Sequence, residues 1–312
     1  GANVREPVSG TKTFTVVNTP GAVSNVIIIG YVKSWGVHMG SGTNGNYGVM
    51  PIADMPWSKL NVVVMFAAAV NLDGSLTFNN IVTSRRKAFN DIAHANGVAV
   101  YLAIGGGTNT SFSSGISTAA NRLTLVNALK SNLVAEQWDG VDVDMETGGA
   151  TVAVGDTANY KIFINQLYDT LQTINQFLDP SKKPVLMAAV GGGSSIIVAV
   201  FKGLEAKFNF INQMSYDFYG NWAFKTHPNG SIFSRDASGT IVELDGQSPA
   251  NEVPTLQKRY YQWVKITNGL TKSKFGLGVE LGGNMLSGGS LATDATEGVS
   301  APRQRWSTSP TI

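Results

Sequence analysis

Residues 139–146 read Asp-Gly-Val-Asp-Val-Asp-Met-Glu, and this stretch indicates both the fold and the chemistry of the chain. Apart from its acids, it has the small and apolar residues of a buried strand. A parallel strand that is covered on both faces is a nearly continuous apolar run, so repeated carboxylates are costly unless they are paired or used. We therefore expect these acids to serve a function as well as the fold.

The alternation of side chains along a strand sorts the four acids. Asp142, Asp144 and Glu146 share one face, whereas Asp139 has the opposite parity and begins the strand. Asp139 is therefore predicted to give structural support. Glu146 precedes a Thr-Gly-Gly break and so ends the strand, which is where parallel barrels build their active sites. The other face carries the apolar residues Val141, Val143 and Met145.

Short apolar runs alternate with longer amphipathic segments along the chain, which predicts βαβ units and a parallel sheet. The predicted strands cover residues 26–35, 59–70, 97–107, 138–147, 184–192, 208–219 and 274–283. The predicted helices cover residues 84–96, 119–136, 157–178, 194–206 and 252–268. This pattern predicts an α/β protein with the architecture of a (β/α)8 TIM barrel.

The domain organisation follows from the same pattern. Residues 25–285 are predicted to form the barrel, and residues 1–24 an N-terminal arm or added strand. Residues 286–312 read as a loop-like tail without an apolar run. Because a closed barrel needs an eighth strand, the barrel is expected to be truncated after about the seventh, with the tail leading to a missing C-terminal part.

Composition limits the possible partners. With 23 basic and 21 acidic residues in 312, the net charge of +2 gives no bias toward nucleic acid or a membrane surface. The absence of cysteine excludes disulfides, cysteine-based zinc sites and thiol nucleophiles. His38, His94 and His227 lack metal-ligand spacing, so we expect no metal and no cofactor. A charged fraction of only 14% resembles that of secreted bacterial proteins, and we expect a secreted monomer.

The spacing of Asp139, Asp142, Asp144 and Glu146 resembles the DxxDxDxE signature of glycoside hydrolase family 18, the chitinases and their relatives. The segment 210–220, FINQMSYDFYG, resembles the sixth-strand segment of that family. Further resemblances to its first and second strands lie at Gly30, Tyr31, Trp35 and Phe66. One departure is Ala103, which stands where the family's third-strand motif carries a serine, before Gly105 and Gly106.

Two carboxylates on one strand face lie close enough that both cannot ionise cheaply, so one pKa is raised. Glu146, at the exposed end, is then the expected proton donor to a leaving-group oxygen. Asp144 is its proton-sharing neighbour, and Asp142 holds the proton when Asp144 turns toward the substrate. The resemblance implies that the acetamido carbonyl of the substrate acts as nucleophile, with Tyr216 holding its oxygen.

Several other residues are predicted to complete the site. Met214 shares the parity of Tyr216, and the resemblance implies that Asp217 also enters the site. Aromatic residues that can stack on sugar rings lie near strand ends or in loops. Gly105 and Gly106 are predicted to give the backbone clearance at the barrel mouth. The predicted substrate-binding residues are Met214, Asp217, Trp35, Tyr31, Tyr219 and Trp222.

The resemblance implies a chitinase that cleaves β-1,4 linkages between N-acetylglucosamine units by substrate-assisted, retaining catalysis. Two alternatives remain open from the sequence. An endo-β-N-acetylglucosaminidase acting on N-glycans shares the motif and the mechanism. A chitinase-like lectin binds chitin oligosaccharides without cutting them, and the presence of Glu146 favours an enzyme over this reading.

Overall fold

The computed structural model describes residues 27–34, 37–38, 50–78, 83–146, 156–191, 201–216 and 274–278. The predicted arm 1–24, tail 286–312 and helix 252–268 lie outside these ranges, as does most of the predicted helix 194–206. No helix among the described residues is both long and apolar enough to cross a membrane.

Seven parallel strands form the main sheet, and their order across the sheet is the same as their order along the chain. Consecutive strands of this path are parallel neighbours throughout, as βαβ units require. The strands are β1 (Ile29–Lys33), β4 (Val62–Val70), β6 (Ala99–Gly105), β7 (Gly140–Asp144), β8 (Val185–Val190), β9 (Phe210–Met214) and β10 (Phe275–Gly278). Each lies within one of the seven predicted strands, so the predicted α/β fold is confirmed.

Smaller elements decorate this sheet. The short strand β5 (Leu76–Thr77) pairs antiparallel with the end of β4, and β2 (Val37–His38) pairs with β3 (Met50–Pro51). Two 3-10 helices, Ile52–Asp54 and Trp57–Lys59, precede β4. The sequence did not predict these elements, because two or three residues are too few to show a period.

The helices are α1 (Thr83–Ala95), α2 (Phe112–Gly115), α3 (Ala119–Glu136) and α4 (Thr157–Leu171). Thr118 caps α3 by accepting a hydrogen bond from the Asn121 backbone N–H at 3.1 Å, and Gln137 ends it in the left-handed region, with φ 63°. The buried residues of α4 recur at helical spacing: Tyr160, Phe163, Ile164, Leu167 and Leu171.

The predicted helix 157–178 is too long, since α4 ends at Leu171. The reason lies in the segment that follows. The backbone N–H groups of Phe177 and Leu178 donate to Oδ1 of Asp139 at 2.9 and 2.8 Å. These two N–H groups therefore do not donate to helical carbonyl groups. A helical pattern in the local sequence cannot show an acceptor that is so distant along the chain.

Two apolar layers lie on opposite faces of the sheet. The outer layer packs the β7 residues Val141 and Val143, and Met145 just after the strand, against the helices. The inner layer is smaller and contains Val62, Val64, Tyr101, Ala103, Val185 and Met187. Ala103 and Met187 flank Asp142 in the register of β6, β7 and β8, so the acids share the inner face.

The sheet curls so that β1 approaches strands far along the path. The hydroxyl of Tyr31, on β1, donates to Oδ2 of Asp142 on β7 at 3.0 Å and accepts from Nδ2 of Asn212 on β9 at 3.4 Å. A flat sheet would separate these strands by several interstrand spacings of about 4.8 Å each. The described residues therefore provide seven of the eight strands of a (β/α)8 barrel, and the acids face its interior.

Candidate active site

The inner face of β7 carries a row of carboxylates that leads from the barrel interior to its carboxyl end. Asp142 is fully buried, Asp144 is 3% exposed, and Glu146 is half-buried just beyond the last residue of the strand. Val141, Val143 and Met145 pack in the outer layer. The predicted sorting of these residues by parity is confirmed.

Asp142 lies in the part of the row that solvent does not reach. Burial raises the pKa of Asp142 to about 7, although the Tyr31 hydroxyl and the backbone N–H of Ala189 stabilise its charged form. Its Oδ1 has no hydrogen-bond partner among the described residues. Ala103 stands beside Asp142 in the register of β6 and β7 and offers no donor.

Asp144 is placed to share a proton with Glu146. Burial raises the pKa of Asp144 well above its usual range, and the charges of Glu146 and Asp142 raise it further. A hydrogen bond between the Asp144 and Glu146 side chains acts in the same direction, since it favours protonated Asp144. Oδ1 of Asp144 has no partner within the described part of the chain.

Tyr31 was predicted to bind substrate, but its hydroxyl is engaged by Asp142 and Asn212. Burial of this hydroxyl, and then the charge of Asp142, raise the pKa of Tyr31 well above its usual range. The residue as a whole is nevertheless 45% exposed. Tyr31 therefore supports the acid row through its hydroxyl, and a sugar contact through its ring stays a prediction.

The carboxylate of Asp139 makes four hydrogen bonds on the opposite side of β7. Its Oδ2 accepts from the Val100 N–H at 3.0 Å and pairs with Nε2 of His94 at 2.8 Å. Its Oδ1 accepts the two N–H groups of Phe177 and Leu178 described above. These contacts join β6, α1 and the segment after α4, and the role of structural support stays a prediction.

Strand β9 supplies a second inner wall. Asn212 and Met214 are inward residues of this strand, and Tyr216 follows with the same parity. The Tyr216 ring lies near Gly278 of β10, where an added Cβ would come within 3.4 Å of Cε1. Sequence reasoning missed Asn212. Its signal was available, because it is a polar residue with the parity of Met214 and Tyr216 in an apolar strand.

The loop after β6 runs along the acid row. Gly105 and Gly106 have φ of 105° and 95°, a conformation that side chains rarely adopt. A Cβ on Gly105 would lie 2.1 Å from the Asp144 backbone oxygen, and one on Gly106 would lie 2.5 Å from the Phe66 ring. Both positions therefore require glycine, and the predicted clearance for substrate at the barrel mouth stays a prediction.

A further rim contact fixes this loop to the end of β4. The Asn109 side chain accepts from the Val70 N–H at 2.7 Å and donates to the Val70 carbonyl at 2.9 Å. Ser111 donates to the same carbonyl at 2.6 Å. Nδ2 of Asn121 donates to the Leu72 carbonyl at 2.9 Å, which ties α3 to the β4–β5 turn. Sequence reasoning did not single out these residues.

Most of the other residues that were predicted to contact substrate cannot be placed in the site. Trp35, Asp217, Tyr219 and Trp222 lie outside the described residues. Trp57, an aromatic residue outside the predicted set, packs on Phe89 of α1 with ring centroids 5.8 Å apart, so it belongs to the outer layer. Among the described residues, no group of three or more metal-ligating side chains forms a candidate metal site.

A comparison with known families decides the assignment of the barrel and its acid row. The family described as "Glycosyl hydrolases family 18" matches residues 27–308. The chain belongs to this family. Family 18 membership accounts for the acid row of β7 and agrees with the barrel architecture.

Two relatives of this chain each share 24% of the aligned residues with it. A chitinase-like effector of Moniliophthora roreri is 24% identical over 270 residues, which cover 84% of this chain and 60% of the relative. Chitinase 1 of Aphanocladium album is 24% identical over 282 residues, which cover 80% of this chain and 64% of the relative. The chain thus spans about three fifths of the length of these two relatives.

A solved chitinase structure shares the fold. A mutant form of the class V chitinase of Nicotiana tobaccum, in complex with NAG4, superimposes with a TM-score of 0.59 at 16% identity. The alignment covers 82% of this chain and 66% of the chitinase. At this identity, the similarity extends to the fold alone.

Proposed function

We propose that this chain is a chitinase that hydrolyses β-1,4 linkages between N-acetylglucosamine units with retention of configuration. The observation that supports this most directly is the contact between Asp144 and Glu146. A buried acid with a raised pKa shares a hydrogen bond with a second acid at the mouth of the barrel. Such a pair can store a proton and deliver it to a bound substrate.

Glu146 is the general acid in this proposal. It protonates the glycosidic oxygen, and the bond from that oxygen to C1 breaks as the acetamido carbonyl oxygen of the same sugar bonds to C1. Water then attacks C1 and gives a proton to Glu146 as the bond between C1 and the carbonyl oxygen breaks, so that both the acid and the acetamido group are restored. Two inversions at C1 leave the product with its original configuration.

Asp144 orients the acetamido group. The reaction needs an acceptor for the acetamido N–H, and Oδ1 of Asp144 has no partner among the described residues. Tyr216, which follows β9 with inward parity, donates to the carbonyl oxygen of the group. Because the nucleophile belongs to the substrate, the proposed reaction is restricted to N-acetylated sugars. Chitin is an insoluble polymer, and we further propose that the protein acts outside the cell.

Glu146→Gln tests this proposal, because it keeps the shape of the side chain and removes the proton. The variant is expected to lower kcat on N-acetylglucosamine oligomers by about 100-fold to 10,000-fold, with binding retained. Products are separated by chromatography, and binding is measured by calorimetry. Glu205→Gln is the matched control, since Glu205 accepts from the Gly203 N–H in a surface turn away from the site.

Assays of the wild-type chain on different substrates distinguish the chitinase from the two alternative functions. Release of shorter oligomers from chitin fragments, lost in Glu146→Gln, supports the chitinase. Cleavage of a high-mannose glycopeptide in preference to chitin oligomers would instead identify an endo-β-N-acetylglucosaminidase. Equilibrium binding of oligomers without any product from the wild-type chain would overturn the enzyme and identify a lectin.

A further inference from the structure

Asn212 is a buried amide that the proposed reaction does not use. It is 8% exposed and lies on the inner face of β9, between the apolar residues Phe210 and Met214. A polar side chain in such a place costs free energy unless its hydrogen-bonding groups have partners. The partners of Asn212 should therefore indicate why an amide is found here.

The two ends of this amide have different neighbours. Nδ2 of Asn212 donates to the sulfur of Met187 at 2.8 Å and to the hydroxyl of Tyr31 at 3.4 Å. Oδ1 faces β10, where an added Cβ on Gly276 would lie 2.0 Å from it. A thioether sulfur can accept a hydrogen bond but cannot donate one, so the NH2 end of the amide suits Met187 and the carbonyl end does not. The amide is thus oriented with its donors toward Tyr31.

This orientation determines the direction of the hydrogen bonds at Tyr31. A phenolic hydroxyl has a single proton to donate. Because its oxygen accepts from Asn212, that proton is directed to Oδ2 of Asp142, which lies 3.0 Å away. An accepted hydrogen bond also polarises the hydroxyl and strengthens the hydrogen bond that it donates. Asn212 therefore acts on Asp142 through Tyr31.

The two carboxyl oxygens of Asp142 become unequal as a result. Oδ2 accepts from Tyr31, whereas Oδ1 has no hydrogen-bond partner among the described residues. We propose that Asn212 is a positioning residue that directs the Tyr31 proton to Oδ2 and leaves Oδ1 as the oxygen that takes up and releases the proton of Asp142. For catalysis, this inference rests on the proposed function, in which Asp142 holds the proton when Asp144 turns toward the substrate.

Within the described part of the chain, few other titratable groups face Asp142. Asp144 and Glu146 follow it on the inner face of the sheet. Tyr160 of α4 is near enough that burial, and then the charges of Asp142 and Asp144, raise its pKa. The positions paired with Asp142 on β6 and β8 carry no charge. A substitution on β9 leaves all these groups in place, so a change in the titration of Asp142 reports the Tyr31 hydroxyl.

Asn212→Leu removes the donor and keeps the approximate volume of the side chain. The pKa of Asp142 is expected to rise, because the Tyr31 hydroxyl is less polarised and is free to accept from protonated Asp142. The carbon-13 resonance of the Asp142 carboxyl group, identified by its loss in Asp142→Asn, measures this titration without substrate. We expect its midpoint to move to higher pH by about 0.5–1 pH unit, and the matching limb of the kcat profile to move with it.

Asn212→Asp is a second variant, which keeps the shape of the side chain and replaces the donor by an acceptor. The Tyr31 proton is then shared between two carboxylates, so the midpoint for Asp142 should rise at least as far as in Asn212→Leu. Asn90→Leu is the control, because Asn90 is a fully buried amide on α1 that donates to the Glu136 carbonyl at 2.8 Å. Its loss should lower the melting temperature without moving the midpoint.

The double variant Tyr31→Phe/Asn212→Leu separates positioning from a purely structural role. If Asn212 acts through the hydroxyl, the double variant should titrate at the same midpoint as Tyr31→Phe alone. An unchanged midpoint in folded Asn212→Leu and Asn212→Asp, or shifts that add in the double variant, would overturn the inference. A wild-type chain that hydrolyses no oligomer would overturn the proposed function alone, because the carboxyl titration does not depend on hydrolysis.

Discussion

The hydroxyl of Tyr31 donates to Oδ2 of Asp142 at 3.0 Å, although the two residues are 111 positions apart in the chain. The contact crosses the interior of the barrel from β1 to β7. Burial raises the pKa of Asp142, whereas this hydrogen bond lowers it, because a donor to a carboxylate favours the charged form of the carboxylate. The protonation of the acid row on one strand thus depends on a residue from the other side of the barrel.

Tyr31→Phe removes this donor and is expected to raise the pKa of Asp142 above its present value of about 7. We also expect the free energy of unfolding to fall by about 1–3 kcal/mol, because a buried acceptor loses its partner. Urea denaturation at neutral pH and the pH dependence of kcat measure the two effects. Tyr168→Phe is the control, since its ring lies under Lys207, 4.4 Å from Nζ. Equal losses in both variants would contradict the role of the Tyr31 hydroxyl.

Ala103→Ser should have the opposite effect on the same acid. Ala103 pairs with Asp142 in the register of β6 and β7, and Oδ1 of Asp142 has no partner among the described residues. A serine hydroxyl that donates to Oδ1 stabilises the charged form and lowers the pKa of Asp142. The limb of the pH–rate profile that reports Asp142 is therefore expected to move to lower pH.

Ala188→Ser is the control for Ala103→Ser, because Ala188 is equally buried but belongs to the outer layer. A serine there should lower the free energy of unfolding by about 1–3 kcal/mol without moving the pH profile. A pH profile unchanged by Ala103→Ser would show that the hydroxyl does not reach Asp142.

Asp142 also makes stability depend on pH. Its pKa rises from 3.8 to about 7 on folding, so the folded state binds a proton more tightly than the unfolded state. The contribution of Asp142 to stability is then fully present below about pH 4 and is lost as the pH rises through about 7. Asp142→Asn is expected to remove this dependence. The free energy of unfolding of the variant should therefore rise relative to that of the wild type as the pH increases from about 4 to about 7.

Asp179→Asn provides a control of opposite sign. Hydrogen bonds from Lys182 and Ser181 lower the pKa of Asp179 to about 2. Its contribution is present above about pH 4 and is lost as the pH falls through about 2. Guanidinium denaturation at several pH values measures both variants. A constant difference between wild type and Asp142→Asn from pH 4 to pH 8 would contradict the raised pKa.

Arg86→Met tests the buried ion pair between α1 and the end of α3. Nε of Arg86 donates to Oε2 of Glu136 at 2.7 Å, and the two side chains are 4% and 2% exposed. Loss of the guanidinium leaves Glu136 buried without its counter-ion, which is expected to cost about 3–5 kcal/mol. The double variant with Glu136→Leu should lose less than the sum of the single variants, as a double-mutant cycle measures.

Lys87→Met is the matched control on the same helix. Lys87 pairs with Asp91 at 2.7 Å, but these side chains are 37% and 52% exposed. Its loss is expected to cost less than about 1 kcal/mol. Comparable losses for Arg86→Met and Lys87→Met would show that burial does not set the strength of the first pair.

The sequence was sufficient to predict the seven strands and the inward row of acids, because strand length and parity are local properties. Tyr31 was predicted to meet substrate, and its contact with Asp142 could not be foreseen. That contact depends on the curvature of the whole sheet, which brings residues 111 positions apart together. The early end of α4 at Leu171 has a similar origin, since Asp139 binds the N–H groups of the following segment.

Asn109 has a consequence for motion at the barrel mouth. By holding both backbone groups of Val70, it joins the loop after β6 to the end of β4, and Asn121 adds the β4–β5 turn to the same unit. We expect segments joined in this way to move together. A closure around a bound sugar chain that displaced this side of the mouth would therefore have to break these hydrogen bonds or carry all three segments with it.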